Sequence, residues 1–73
     1  MNKKVLIHFK RTLSNLNYLI ESEHFFTDND DELDVIVDDV PYEIVNGYYQ
    51  DPDEQLCEHY GFDYSQVNCI EAL

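Results

Sequence analysis

Beyond Arg11 the sequence contains no lysine or arginine. All four basic residues (Lys3, Lys4, Lys10 and Arg11) fall in the first eleven positions, and all sixteen carboxylates lie between Glu21 and Glu71. Residues 12–73 therefore carry a formal charge of −16 with no cation to offset it. Self-repulsion on that scale opposes compaction. A small soluble domain ordinarily mixes both signs at a net charge of magnitude about 2–8, and this chain stands at −12 with its signs segregated. Read from composition, the excess is meant for a positively charged partner.

Seventy-three residues make one domain, spanning 1–73. A core of that size supplies only about 3–5 kcal/mol. The chain nevertheless has the means to fold. Disordered acidic chains are poor in aromatic and β-branched residues, whereas this one has six tyrosines, four phenylalanines and the run Val35-Ile36-Val37. Two cysteines, Cys57 and Cys69, are too few for a disulfide framework, so free thiols in a reducing cytoplasm are expected. The first residues lack the pattern of a secretory signal: His8 and Lys10 break the apolar run and no small-residue cleavage site follows. No stretch approaches the ~18 apolar residues of a membrane span. A negative surface is also repelled by anionic lipid, so no membrane partner is expected.

Hydrophobic spacing suggests helices. Leu6, Phe9, Leu13, Leu16 and Ile20 recur at three and four, a stripe of about four turns. An alternative divides that segment into a strand at Val5–Phe9 and a helix capped by Thr12. Asn29 with Glu32 fits a capping box, after which Leu33, Ile36, Val37 and Val40 follow helical spacing. The same stretch reads less well as a strand, with Ile36 out of phase and its β-branched residues in favour. Pro41 disfavours helical geometry at Val40 and can open a short helix carrying Ile44 inward. Asp51-Pro52-Asp53-Glu54 is a helix start, with a cap, a proline and acids in the first turn, and Gly61 is its stop. Asp63 with Gln66 is a second capping box, and Val67, Ile70 and Leu73 form a last stripe. The expected fold is all-α, four or five short helices in one compact domain. The alternative is α+β, with a β-hairpin at about 33–46 that pairs 33–37 with 42–46.

If residues 29–39 are helical, Asp31, Asp34 and Asp38 share one face. A rigid array of carboxylates can then occupy a groove lined with lysine and arginine, because phosphate contacts position a partner without reading sequence. The candidate contact residues are Asp28, Asp30, Asp31, Asp34, Asp38 and Asp39, with Asp51, Asp53 and Glu54 as a second row. Tyr48 and Tyr49 would supply apolar anchors of the kind favoured at interfaces.

Other chemistries fit less well. Cys57, Gly61 and Val67 resemble the spacing of a helix-turn-helix unit, which would offer Gln66 and Asn68 to bases. With no cation to meet phosphates, direct nucleic-acid binding is not expected. Asp28, Asp30 and Glu32 alternate as at the start of an EF-hand, but Leu33 stands where glycine is required and Asp39 where glutamate is usual. Cys57 and His59, with Cys69, His8 and His24 elsewhere, give no paired zinc spacing. No metal, cofactor or enzymatic activity is expected.

In size and charge pattern the chain resembles the small phage-encoded inhibitors of host defence: anti-CRISPR and anti-restriction proteins and the uracil-DNA glycosylase inhibitor. The resemblance carries over no residue roles. It implies a DNA-mimicking protein of the bacterial host cytoplasm that competes with DNA or RNA for a basic nucleic-acid-binding protein. The reading from another class is an antitoxin-like or structural protein–protein module whose acids mainly solubilise it. A homodimer through the Leu6–Ile20 helix is compatible with either.

Overall fold

The computed structural model describes residues 3–45 and 50–73. Four strands form one antiparallel sheet in the order β2-β3-β1-β4. They are β1 (Lys3–Lys10), β2 (Phe26–Asp28), β3 (Glu32–Val40) and β4 (Val67–Ala72). The helices are α1 (Leu13–Glu21), α2 (Tyr42–Val45) and α3 (Pro52–Tyr60), with a 3-10 turn at Tyr64–Gln66. The fold is therefore α+β, not all-α.

The N-terminal segment follows the period of a strand. Val5, Ile7 and Phe9 are buried on one face of β1 and meet Val37, Val35 and Leu33 of β3. Thr12 then starts a separate helix, its hydroxyl accepting the Asn15 N–H at 3.1 Å. That helix buries Asn15 and Leu19. Leu13 and Ile20, members of the expected stripe, are exposed. Asn15 is satisfied inside, donating from Nδ2 to the Lys10 carbonyl at 2.7 Å.

Residues 29–31 form a hairpin turn rather than a helix cap: the Asn29 N–H bonds the Glu32 carbonyl at 2.9 Å. The hairpin joins β3 to β2, with Phe26 opposite Val35. Residues 42–45 are helical, so the alternative 33–46 hairpin does not form either. Near its end β3 bulges: Val37 pairs with Val5 but Val40 with Lys3, so Asp38 and Asp39 together oppose Lys4. Asp39 takes a left-handed φ of 58° there, a conformation that Asp tolerates better than most residues. The bulge returns Val40 to the core.

Pro41, Asp51-Pro52 and Gly61 act as the sequence indicates. β3 ends at Val40, α3 begins at Pro52, and Gly61 closes α3 in a left-handed conformation with φ 77°. Val67 and Ile70 belong to a strand, which removes the helix-turn-helix reading. Leu19, Ile44, Leu56, Cys57 and Phe62 cover the Val5–Ile7–Phe9 face and complete the core. Phe62 stands edge-on to Phe9 with centroids 5.3 Å apart. The described helical core residues lie on this side, so among the described residues no helix covers the other face of the sheet, called the open face below. Both cysteines are free, Cys57 buried and Cys69 exposed. No helix among the described residues is long and apolar enough to cross a membrane.

Candidate functional site

The acids fall into two groups with different surroundings. The first lies on the open face. Alternation along β3 puts Glu32, Asp34 and Asp38 on that face, beside Lys4, His8 and Lys10 of the central strand. The basic N-terminus is therefore the counterion of its neighbouring strand. Lys4 Nζ lies 3.5 Å from Asp38. Arg11, just past the strand, makes a two-pronged contact with Asp28 at 2.8 and 3.3 Å.

His8 sits at the middle of this face, only 13% exposed. Its Nδ1 is 2.8 Å from Asp34 Oδ1 and 3.2 Å from Glu32 Oε1, and its Nε2 is 3.0 Å from Glu71 Oε2. The hydrogen bond to Glu71 raises the His8 pKa above its ordinary value. Burial pulls the other way, and Asp34 and Glu32 add to the rise. The spacing rules of the sequence missed this cluster because its members sit 26 and 63 positions from His8. The alternation Val5-Ile7-Phe9 was the signal that could have placed His8 on an outward face.

Of the expected mimic row, Asp34 and Asp38 share the open face, but Asp31 lies in the hairpin turn before the strand. The helical face of Asp31, Asp34 and Asp38 does not exist. Asp28 ends β2, Asp30 is exposed in the turn, and Asp39 is exposed on the bulge. Tyr48 and Tyr49 lie outside the described residues.

The second group surrounds the start of α3. Asp51 precedes the helix and Asp53 and Glu54 occupy its first turn, where carboxylates are favoured by the helix dipole. Glu58 follows one turn later. No Lys or Arg ion pair reaches these residues among the described ones. The crowding shows in Glu54, whose pKa is raised by a hydrogen bond that its protonated carboxyl donates to Asp51, then by the charge of Asp51, by desolvation and last by the charge of Glu58. Glu43 and Glu58 also line a groove with Pro41, Ile44, Gln55 and His59. This end of the molecule is anionic and uncompensated.

Under α3 the Cys57 thiol is pushed up to about 11, first by burial and then by the charges of Asp53, Asp63 and Glu54. A thiol so disposed is a poor nucleophile at neutral pH. No protein-family model matches this chain, and no curated protein or solved structure shows significant similarity to it.

Proposed function

We propose that the chain is a nucleic-acid-mimicking inhibitor. It binds the positively charged DNA- or RNA-binding groove of a host-defence protein, such as a CRISPR effector complex or a restriction enzyme, and keeps the polynucleotide out. The observation that carries this reading is the α3 cluster: Asp51 and Glu54 stand close enough to share a hydrogen bond, and among the described residues no lysine or arginine answers them. Such a group gains from a basic groove, and both surfaces release counterions when they meet. The acids of the sheet contribute less, since Asp28, Asp34 and Asp38 already have partners within the fold.

The test is displacement of labelled DNA or RNA from purified effector complexes, restriction enzymes and uracil-DNA glycosylase. Inhibition should fall at least 10-fold between 50 and 200 mM salt, the direction expected of charge-driven binding (~10³–10⁵ for 6–10 phosphate contacts). The triple change Asp51→Asn, Asp53→Asn, Glu54→Gln should weaken it roughly 10- to 100-fold, at about 0.5–1 kcal/mol for each exposed ion pair lost. Failure to displace nucleic acid from any of them at low salt overturns the reading.

A second reading has its own observation. Leu13 and Ile20 of α1 and the nearby Phe25 are 74, 58 and 95% exposed. An apolar docking module would bind through such residues, and its affinity would change little with salt.

A further inference from the structure

We propose that the open face of the sheet holds one divalent transition-metal ion, zinc being the best match, between His8 Nδ1, Glu32 Oε1 and Asp34 Oδ1. These three donor atoms lie within 4.8 Å of one another. The two oxygens stand 2.8 and 3.2 Å from the nitrogen. Neighbouring ligands in a tetrahedral zinc site with bonds of ~2.1 Å are about 3.4 Å apart, so the nitrogen–oxygen separations need open by about 0.6 Å to Asp34 and about 0.2 Å to Glu32.

The groups behind the donors make this more than a patch of acids. Each donor's other polar atom is held by a further residue. His8 Nε2 faces Glu71 Oε2 at 3.0 Å. Asp34 Oδ2 accepts from Asn29 Nδ2 at 2.8 Å, and Glu32 Oε2 accepts from Asn68 Nδ2 at 3.0 Å. With Nε2–H donated to Glu71, loss of the Nδ1 proton would turn its lone pair toward the two carboxylate oxygens. In the ion-free protein that Nδ1 proton is donated to Asp34, and a cation would take the proton's place among the three donor atoms. A carboxylate behind a ligating histidine fixes its tautomer and raises its basicity, and ligating carboxylates are commonly oriented the same way.

The strands give the site rigidity. His8 and Asp34 are direct cross-strand partners on β1 and β3, and Glu32 is two residues from Asp34 on the same face. One imidazole nitrogen and two carboxylates suit a borderline ion such as Zn²⁺ better than Ca²⁺ or Mg²⁺, which prefer all-oxygen sets. Three protein donors leave a fourth position open to water or to a partner's side chain. Cys69, the β4 partner of His8, lies at the rim.

The experiment is calorimetric titration of the whole chain with Zn²⁺ alone, and with Co²⁺ to record its visible absorption, in the presence of 10 mM Ca²⁺. One ion per chain is expected, in the wild type and in Cys69→Ser alike. His8→Ala and Asp34→Asn should each weaken binding 100-fold or more. Glu71→Gln should weaken it about 10-fold, the effect of losing a ligand's supporting partner. Asp51→Asn with Glu54→Gln should leave it unchanged. Asp34→Asn preserves shape and so keeps the test valid if His8→Ala does not fold. Displacement by Ca²⁺, several weak ions per chain, or affinity indifferent to His8→Ala and Asp34→Asn would each overturn the site and show diffuse attraction to an acidic surface.

Discussion

The open face of the sheet and the start of α3 are built from the same residue types and behave in opposite ways. On the open face β3 and β4 carry carboxylates, yet the central strand supplies Lys4 and His8 to meet them, and Arg11 meets Asp28 at the sheet's end. At α3 the carboxylates meet one another, so that Glu54 holds a proton more tightly than an isolated glutamate would. Segregation of charge along a chain is therefore not segregation in space. Placing the basic strand at the centre of the sheet brings Lys3–Lys10 beside β3 and, among the described residues, leaves the α3 end without a Lys or Arg ion pair. A local balance holds one region together; its absence makes the other available to a partner.

The largest expected effect on stability that separates the two regions is His8→Ala in the metal-free protein. It leaves Asp34, Glu32 and Glu71 facing the space of the lost imidazole. The side chains of Asp34 and Glu32 are only 19 and 30% exposed. Orphaning charged hydrogen-bond partners costs about 1–3 kcal/mol when buried, and partial exposure places this change near the lower half of that range. Urea unfolding measures it. A loss under ~0.3 kcal/mol, the spread of an ordinary surface substitution, would mean that the open face does not depend on its histidine.

A smaller effect is expected at the rim. Arg11→Ala and Lys4→Ala remove exposed pairs to Asp28 and Asp38. Such pairs contribute roughly 0–1 kcal/mol, with Arg11 the larger for its two-pronged geometry. Repeating the unfolding at 1 M salt should erase both differences, because screening acts within about 3 Å there. If Lys4→Ala or Arg11→Ala costs as much at high salt as at low, the contact is packing and the electrostatic contrast between the regions is weaker than drawn.

What could be read from the sequence followed how local each signal is. Pro41, Asp51-Pro52 and Gly61 fix backbone geometry by themselves, and each marks a real boundary. Two of the strands, β3 and β4, carry a helical spacing for a specific reason. Two bulges insert an extra residue, Asp38–Asp39 in β3 and Asn68 in β4. Each turns a period of two into a spacing of three: Val37 to Val40, and Val67 to Ile70. That spacing is the mark of a helix. Ile36 completed the illusion. It is 56% exposed on the open face opposite Leu6, so its apparent helical phase is an outward strand position. The α3 acids were legible because they follow their own helix start. The His8 cluster was not, since it depends on β1, β3 and β4 coming together.

The smallest effect is also the sharpest in sign. Glu54 is exposed and its folded-state pKa lies above the ordinary glutamate value, chiefly through its hydrogen bond with Asp51. Folding then binds a proton at this site more readily than the unfolded chain does. The stabilisation from this group is complete below the unfolded pKa and is lost as pH rises through the folded one. At pH 7 the ionised Glu54 thus works against the fold, and Glu54→Gln should raise the unfolding midpoint, with the gain vanishing at pH 3, where the carboxyl is already neutral. Asp34→Asn supplies the contrast: at pH 7 it should lower the midpoint, because that carboxylate has His8 to answer it. Thermal unfolding of both variants at the two pH values reads the difference directly. A carboxylate whose removal stabilises the chain is one the fold does not need for itself. Should Glu54→Gln destabilise at pH 7, the α3 cluster would be part of the scaffold, and the argument that its charge is held for a basic partner would lose its footing.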